Sequence, residues 1–117
     1  MIRQKNENGS VCVSTNVYTD IAGTAASNCF GVTGMAARSV SDGVYHLLRK
    51  ESMSKGVKII HNEDGSISIE LHIIVDSGVN LMAISRSIQS EVKYHVKRLT
   101  NVEVRSVDVC IDSMVIG

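Results

Sequence analysis

Aromatic residues are scarce in this chain of 117 residues, and proline and tryptophan are absent. It has one phenylalanine and three tyrosines. Proteins that hold single-stranded nucleic acid stack its bases on aromatic side chains, and they need several of these in one place. The scarcity of aromatic residues therefore argues against a nucleic-acid site built on base stacking.

The chain also has no excess of charge of either sign. Twelve Lys and Arg residues balance twelve Asp and Glu residues, so the formal net charge is zero. This balance removes the general attraction to nucleic acid or anionic lipid that a basic protein has. Only a local basic patch could supply such an attraction, and we do not expect nucleic acid to be the main partner.

Cysteines are few and widely spaced. Cys12, Cys29 and Cys110 are odd in number and form no Cys-x-x-Cys pair. This pattern indicates neither a disulfide framework nor a zinc knuckle. We interpret the three cysteines as buried, small apolar side chains in a reducing cytoplasm.

Long apolar runs are absent. No run approaches the roughly 20 residues that span a bilayer, and the first residues have no apolar core of a signal peptide. We therefore expect a cytoplasmic protein that contacts a membrane only through a partner.

The apolar period changes in the middle of the chain. Between residues 66 and 76 every second residue is apolar, which predicts a half-buried strand. From residue 80 to residue 99 the apolar residues are three or four apart, which predicts a long helix. Because each element has one apolar face, the two must cover each other in an α+β domain.

Five other elements follow from local patterns. Residues 9–14 predict a first strand, and Ser14 or Thr15 predicts the cap of a helix with a buried stripe at Val17, Ile21, Ala25 and Cys29. A shorter second helix is predicted from Val40 to about Glu51. Residues 57–61 predict a strand that forms a hairpin with the strand at 66–76, and the chain ends in a last strand.

Register and bulges can also be predicted. A turn with Gly65 in a left-handed conformation sets Val57 opposite Leu71 and Ile59 opposite Ile69. In the last strand Val107, Val109 and Ile111, all at odd positions, are predicted to point inward. Val102 and Val104 are at even positions, so a bulge is predicted near Arg105 and Ser106, where the pattern changes.

The predicted order is β-α-α-β-β-α-β. It predicts a single mixed or antiparallel sheet of about four strands with helices on one face, and with the first and third strands in the middle. Residues 1–8 are polar and predict a flexible lead-in, and residues 9–117 predict one domain.

Several short motifs, each present once, occur in a fixed order along residues 9 to 112. They are Gly9-Ser10-Val11-Cys12-Val13-Ser14, Val17, Ile21-Ala22, Ala25-Ala26, Gly31-Val32-x-Gly34-Met35, Lys55-Gly56-Val57-Lys58-Ile59, Ile73-Ile74-Val75-x-x-Gly78, Ile88-Gln89-x-x-Val92 and Val107-Asp108-Val109. Together they resemble the alkaline shock protein family, the envelope stress response proteins of Gram-positive bacteria. The stretch from Asp42-Gly43 to Glu51 is most similar to the short, YloU-like members with a single domain.

The resemblance implies a cytoplasmic, non-enzymatic protein of the envelope stress response. Some members self-associate and are held near the membrane by a separate anchor protein. The family offers no catalytic residues to carry over, so we expect no enzyme and no cofactor. This chain has Asn101 where a glycine often caps the long helix, and it lacks the charged tails of longer relatives.

Our main hypothesis is therefore a non-catalytic scaffold or adaptor in cell-envelope stress and homeostasis. It acts by self-association or by binding another envelope-associated protein. We expect it in the cytoplasm, and the sequence does not decide whether it lies near the membrane. The alternative is a KH-like nucleic-acid-binding module, because Gly31-Val32-Thr33-Gly34 is predicted between two helices, where a KH domain keeps its Gly-x-x-Gly clamp. Val32 and Thr33 bring no cation to meet a phosphate, and a turn that needs the positive φ of glycine explains the motif equally.

Two surfaces are candidates for partner binding. The long helix carries a basic stripe that either binds an acidic partner or phospholipid headgroups, or is a solvated face. The sheet face away from the helices is predicted to be half apolar, with Cys12 and Ile60 beside Ser68 and Glu70, and such faces and their edges are natural docking sites. The candidate partner-surface residues are Arg86, Lys93, Lys97, Ile74, His72 and Cys110.

The histidines do not predict a metal site. The hairpin register points His61 inward and His72 outward, so the two do not share an ion. His46 and His95 lie on predicted helix surfaces. No nucleophile, base and acid occur together in a catalytic pattern, and we predict no catalytic, cofactor-binding or metal-binding residue.

Overall fold

A computed structural model describes residues 2–38, 45–47 and 56–116 of the chain. The elements, in chain order, are β1 (Ile2–Asn6), β2 (Gly9–Val13), α1 (Thr15–Ser27), β3 (Val32–Arg38), β4 (Tyr45–Leu47), β5 (Val57–His61), β6 (Ile67–Asp76), α2 (Leu81–Thr100) and β7 (Val104–Val115). The fold is α+β, as the sequence predicts.

Strand β6 is the centre of the main sheet. One edge of β6 pairs in parallel with β7 along its whole length. The other edge pairs antiparallel with β5 in its first half and with β3 in its second half, and β4 extends the sheet beyond β3. The described residues thus form a mixed five-stranded sheet, while β1 and β2 form a separate two-stranded hairpin.

The β5–β6 hairpin has the predicted register. Val57 lies opposite Leu71 and Ile59 opposite Ile69. Gly65 has a φ of 89°, which only glycine adopts easily. The Asp64 carboxylate accepts hydrogen bonds from the backbone nitrogen of Ser66 at 2.9 Å and from its hydroxyl at 2.6 Å. Asp and Ser side chains close tight turns in this way, and here they fix the turn between the two strands.

The core lies between the helices and one face of β6. Ile67, Ile69, Leu71, Ile73 and Val75 alternate along the strand, and each is fully buried. Both helices contribute to this cluster. Apolar side chains on one face of the strand thus explain why both helices cover the same side of the sheet.

Helix α2 packs with the predicted face. Its buried residues are Ile84, Ile88, Val92 and Val96. The helix begins at Asn80, whose side chain accepts a hydrogen bond from the backbone nitrogen of Ala83, and it ends at Asn101. Neither α1 nor α2 in the described part of the chain has the length and apolar character needed to cross a membrane.

Helix α1 packs with a face next to the predicted one. Ser14 caps it as predicted, through a hydrogen bond from the backbone nitrogen of Asn16 to its hydroxyl oxygen. The buried face consists of Tyr18, Thr19, Ala22, Gly23, Ala25 and Ala26. Val17 is exposed. The face that is buried is therefore shifted by about one residue around the helix from the predicted face. Small side chains let this helix approach its neighbours closely, and fully buried Tyr18 fills the remaining space.

The region between α1 and β5 differs from the prediction. The predicted second helix from Val40 to about Glu51 is wrong at Tyr45–Leu47, which form strand β4 against β3. The rest of that predicted helix lies outside the described residues. The sequence also predicts no strand at Val32–Arg38, where β3 pairs with β6. This strand contains a glycine and mostly small residues, and its partner strand is more than thirty residues away in the chain. Neither feature gives a local signal of a strand.

The N-terminal residues also differ from the prediction. The first predicted strand, β2, pairs with β1 and not with the centre of the main sheet. The sequence predicts no strand within residues 1–8, yet Ile2–Asn6 forms one. The four residues of β2 before Val13 are all exposed, so an apolar alternation as short as Val11 and Val13 is not enough to place a strand in the core.

Candidate functional site at strand β7

Strand β7 forms an edge of the main sheet. It pairs with β6 on one side, and no other strand of the described residues pairs with its outer edge. The register with β6 shifts at two places along β7, at Arg105 and at Asp112. The first shift confirms the predicted bulge near Arg105. Bulges of this kind are common at sheet edges, where they redirect side chains.

A groove runs between α2 and β7 on the helix side of the sheet. It is lined by Arg86, Gln89 and Lys93 from α2 and by Arg105 and Asp108 from β7. The side-chain nitrogen of Gln89 donates a hydrogen bond to the backbone oxygen of Val107 at 3.0 Å. This bond attaches the middle of β7 to the helix above it.

The predicted basic stripe is divided by the structure. Arg86 and Lys93 are exposed and line the groove beside β7. Lys97 lies beyond them, where its Nζ atom is 2.6 Å from Oε1 of Glu103. Both of these side chains are well exposed, so the pair adds little stability. On the same helix, the carboxylate of Glu91 lies 3.1 Å from Nε2 of His95.

The face of the sheet opposite the helices, here called the outer face, carries a cluster of polar side chains. Glu70 and His72 come from β6, and Cys110 and Asp112 come from β7. His72 and Cys110 are register partners, so the topology brings these two predicted residues together. Both carboxylate oxygens of Asp112 lie near Nδ1 of His72, at 3.0 and 3.2 Å. Nε2 of His72 lies 3.7 Å from Oε2 of Glu70.

The surroundings of Cys110 are acidic. Burial raises the pKa of the Cys110 thiol, and the negative charges of Glu70, Asp112 and Asp108 raise it further. Asp112 is the residue of this cluster that the sequence analysis missed. The bulge at position 112 puts Asp112 on the same side of the sheet as His72. In the sequence, the only signal for this position is an aspartate directly after Val-Cys-Ile in an apolar strand.

Other predicted residues of the outer face lie elsewhere or are covered. Ile74 is only 6% exposed, and a side chain this buried offers little surface to a partner. It lies between Gly34 of β3 and Ser113 of β7. Cys12 lies in the separate β1–β2 hairpin and is exposed, so the prediction that it is buried is wrong. Ile60, opposite Ser68, is exposed as expected.

The two hairpin histidines lie on opposite faces of the sheet, as predicted. His61 pairs with the fully buried Ile67, and its Nε2 atom is 3.2 Å from the Thr15 hydroxyl of α1. His72 lies on the outer face. His46 belongs to strand β4 and not to a helix.

The glycine motif at residues 31–34 does not lie between two helices. Val32, Thr33 and Gly34 belong to strand β3, where Val32 pairs with Val75 and Gly34 with Ile74. The Thr33 hydroxyl donates a hydrogen bond to Asp76 at 2.5 Å. The predicted position of a KH-type clamp is therefore wrong, and these residues hold β3 to the end of β6.

Comparison with known proteins gives a consistent result. Residues 3–116 match the model of the alkaline shock protein 23 family, which is described as having a cell envelope-related function. The chain is 32% identical over 114 residues to the uncharacterized protein YloU of Bacillus subtilis (strain 168). This alignment covers 97% of this chain and 94% of YloU.

Two further relatives extend this result. The uncharacterized protein Spy1614 of Streptococcus pyogenes serotype M6 is 32% identical over 97 residues, covering 82% of this chain and 79% of that protein. The uncharacterized protein YqhY of Bacillus subtilis (strain 168) is 29% identical over 101 residues. This alignment covers 86% of this chain and 73% of YqhY. No solved structure matches the chain. The chain therefore belongs to the alkaline shock protein family, a family with a cell envelope-related function.

Proposed function

We propose that this protein is a non-catalytic scaffold in cell-envelope homeostasis, which acts in the cytoplasm by pairing with a second copy of itself through strand β7. The observation that carries the proposal is the outer edge of β7, which no strand of the described residues covers. A position near the membrane would then come from another protein that binds the assembly.

An uncovered strand edge is suited to binding another strand. β7 is 12 residues long, and a free edge presents a row of backbone donors and acceptors to any strand that approaches it. Between the bulges at Arg105 and Asp112 the register with β6 is regular. The segment at residues 106–111 therefore offers the best geometry for strand addition.

The charges along β7 favour a second copy in antiparallel orientation. Arg105 lies near the start of the strand, while Asp108 and Asp112 lie further along it. Antiparallel pairing around a two-fold axis at Val109 brings the end of β7 that carries Arg105 towards the end that carries Asp112 in the other copy. The opposite charges of the two ends favour this orientation over a parallel one, and a net charge of zero adds no overall repulsion between copies.

The end of β7 adds apolar surface to the same edge. Met114, Val115 and Ile116 are large apolar side chains that are all exposed. Exposed apolar side chains that lie next to each other often mark an interaction surface. In an antiparallel pair they would lie over the start of the partner's strand, beside its Val104.

The test is the particle mass in solution, measured by light scattering over a range of protein concentrations. We expect a dimer for the native chain and a weakened dimer for Val115→Lys and for Arg105→Glu. Val11→Lys and Arg3→Glu are matched controls, because they make the same changes at exposed positions of the β1–β2 hairpin. Both controls should keep the native mass.

Several outcomes would overturn the proposal. A native monomer at high concentration excludes self-association, and a dimer that all four variants leave unchanged excludes the β7 edge. Circular dichroism separates loss of pairing from loss of folding. Binding of RNA by the native chain, with an affinity that falls steeply with salt, would favour the nucleic-acid alternative.

A further inference from the structure

We propose that Glu70, His72 and Cys110 form a binding site for one Zn²⁺ ion on the outer face of the sheet. One ligand atom from each of these residues lies within 4.8 Å of the others. Carboxylate oxygen, imidazole nitrogen and thiolate sulfur are the three ligand types that zinc uses in proteins. The site is independent of the β7 dimer and does not require it.

The spacing of the ligand atoms suits a tetrahedral ion. Two ligands that are each about 2 Å from a tetrahedral Zn²⁺ lie roughly 3.3 Å apart. Oε2 of Glu70 and Nε2 of His72 are 3.7 Å apart in the protein. All three side chains are only partly buried, so they have room to rotate towards one ion.

Asp112 orients the histidine for this role. Its carboxylate lies 3.0 Å from Nδ1 of His72 and can only accept, so Nδ1 carries the proton and donates it to this hydrogen bond. The lone pair of the imidazole is then on Nε2, which is the nitrogen that faces Glu70. A carboxylate behind a metal-binding histidine is the usual support of a zinc site. The Asp112 side chain is 9% exposed, which keeps this support in place.

The backbone around the site is rigid. Glu70 and His72 lie two residues apart on β6 and therefore share a face, and Cys110 is the register partner of His72 on the adjacent parallel strand. Two elements of regular sheet thus supply all three ligands. Three protein ligands leave a fourth position, which water can occupy because the site is at the surface.

Soft sulfur selects zinc over the hard cations. Mg²⁺ and Ca²⁺ prefer oxygen ligands, whereas a site with imidazole and thiolate favours Zn²⁺ and can be probed with Co²⁺. Glu70, Asp108 and Asp112 surround the thiol with negative charge, which attracts any cation to this face. The thiolate gives the site its selectivity.

Cobalt binding tests the proposal directly. The tag-free chain, reduced and stripped of metal with a chelator, is titrated with Co²⁺ and then with Zn²⁺. We expect one Co²⁺ per chain, the visible bands of a tetrahedral ion, a thiolate-to-cobalt charge-transfer band in the near ultraviolet, and displacement by Zn²⁺. Cys110→Ser should lose the charge-transfer band, and His72→Ala and Glu70→Ala should bind much more weakly.

Matched variants separate this site from other histidines and cysteines. Cys12→Ser removes an exposed thiol of the β1–β2 hairpin, and His95→Ala removes a histidine that also contacts a carboxylate, Glu91. Both should bind as the native chain does. Asp112→Asn should keep the stoichiometry and the charge-transfer band but lose about 10- to 100-fold in affinity, because it acts through His72.

The proposal fails if the native chain binds no Co²⁺ or Zn²⁺. It also fails if binding occurs without a thiolate band, or if His72→Ala and Cys110→Ser bind as tightly as the two controls. Circular dichroism of each metal-free variant shows that it is folded. A variant that does not fold is replaced by His72→Gln or Cys110→Ala, with the same expected results.

Discussion

A Cβ atom on Gly31 would stand 2.8 Å from Cδ1 of Ile84, closer than atoms of two residues can approach without a shift. Cγ1 of Val79 would be 2.9 Å away on the same side. Gly31 also has a φ of 90°, which other residues rarely adopt. The first glycine of the Gly-x-x-Gly motif is thus needed where the chain passes under the start of α2.

We predict that Gly31→Ala destabilises the protein by more than backbone strain alone, which costs about 1–2 kcal/mol for a left-handed residue. Gly65→Ala is the control, because Gly65 has a similar φ of 89° but open space around its Cβ position. Urea unfolding of both variants measures the difference. Equal losses would show that the packing against Ile84 does not matter.

Tyr18 is the largest side chain that is fully buried in the described core. We predict that Tyr18→Ala lowers the free energy of unfolding by about 3–5 kcal/mol, because removing a buried aromatic side chain leaves a cavity. Tyr94→Ala removes the same side chain from an exposed position on α2. Thermal or urea unfolding should show a small change for Tyr94→Ala, and similar losses in both variants would contradict the position of α1.

Asn101 ends α2 with a φ of 61° and a ψ of 20°, in the left-handed region. We predict that Asn101→Gly is neutral or slightly stabilising and that Asn101→Ala costs about 1 kcal/mol, because alanine tolerates this conformation poorly. Urea unfolding of the two variants tests the order. A stability of Asn101→Ala equal to that of Asn101→Gly would exclude a left-handed residue at this position.

The Asp64 turn makes stability depend on pH. The hydroxyl of Ser66, and then its backbone nitrogen, stabilise the Asp64 carboxylate and lower its pKa in the folded chain. A pKa that is lower in the folded state adds stability above the unfolded value and loses it as the pH falls through the folded value. The melting temperature of the native chain should therefore fall more steeply below about pH 4 than that of Asp64→Ala.

Glu63→Ala is the control for this pH dependence. It removes an exposed carboxylate of the same turn, one residue earlier in the chain. We expect it to keep the steep acid dependence of the native chain. If Asp64→Ala and the native chain lose stability in parallel below about pH 4, the bonds from Ser66 do not hold the carboxylate in solution.

The elements with the strongest periodicity are the ones that the sequence predicts correctly. The β5–β6 register, helix α2 and the bulge at Arg105 all follow from apolar spacing and turn residues close together in the chain. In each case the residues that decide the structure are local. Their patterns therefore need no knowledge of distant partners.

The errors lie where distant partners decide the structure. Most residues of β3 are small, and their strand conformation depends on pairing with β6. The face of α1 depends on the space that Tyr18 fills. For the candidate sites, the sequence predicts His72 and Cys110 on one face, but the parallel register between β6 and β7 and the bulge that adds Asp112 come from the fold.

Hydrogen exchange along β7 is the most direct measurement for pairing through its free edge. We predict that the β7 amides on its outer edge exchange slowly in a concentrated sample and faster on dilution. Amides of central β6 and of the β1–β2 hairpin should exchange at rates that do not depend on concentration. Exchange of β7 that stays the same at every concentration, in a sample whose mass shows a dimer, would contradict pairing through this strand.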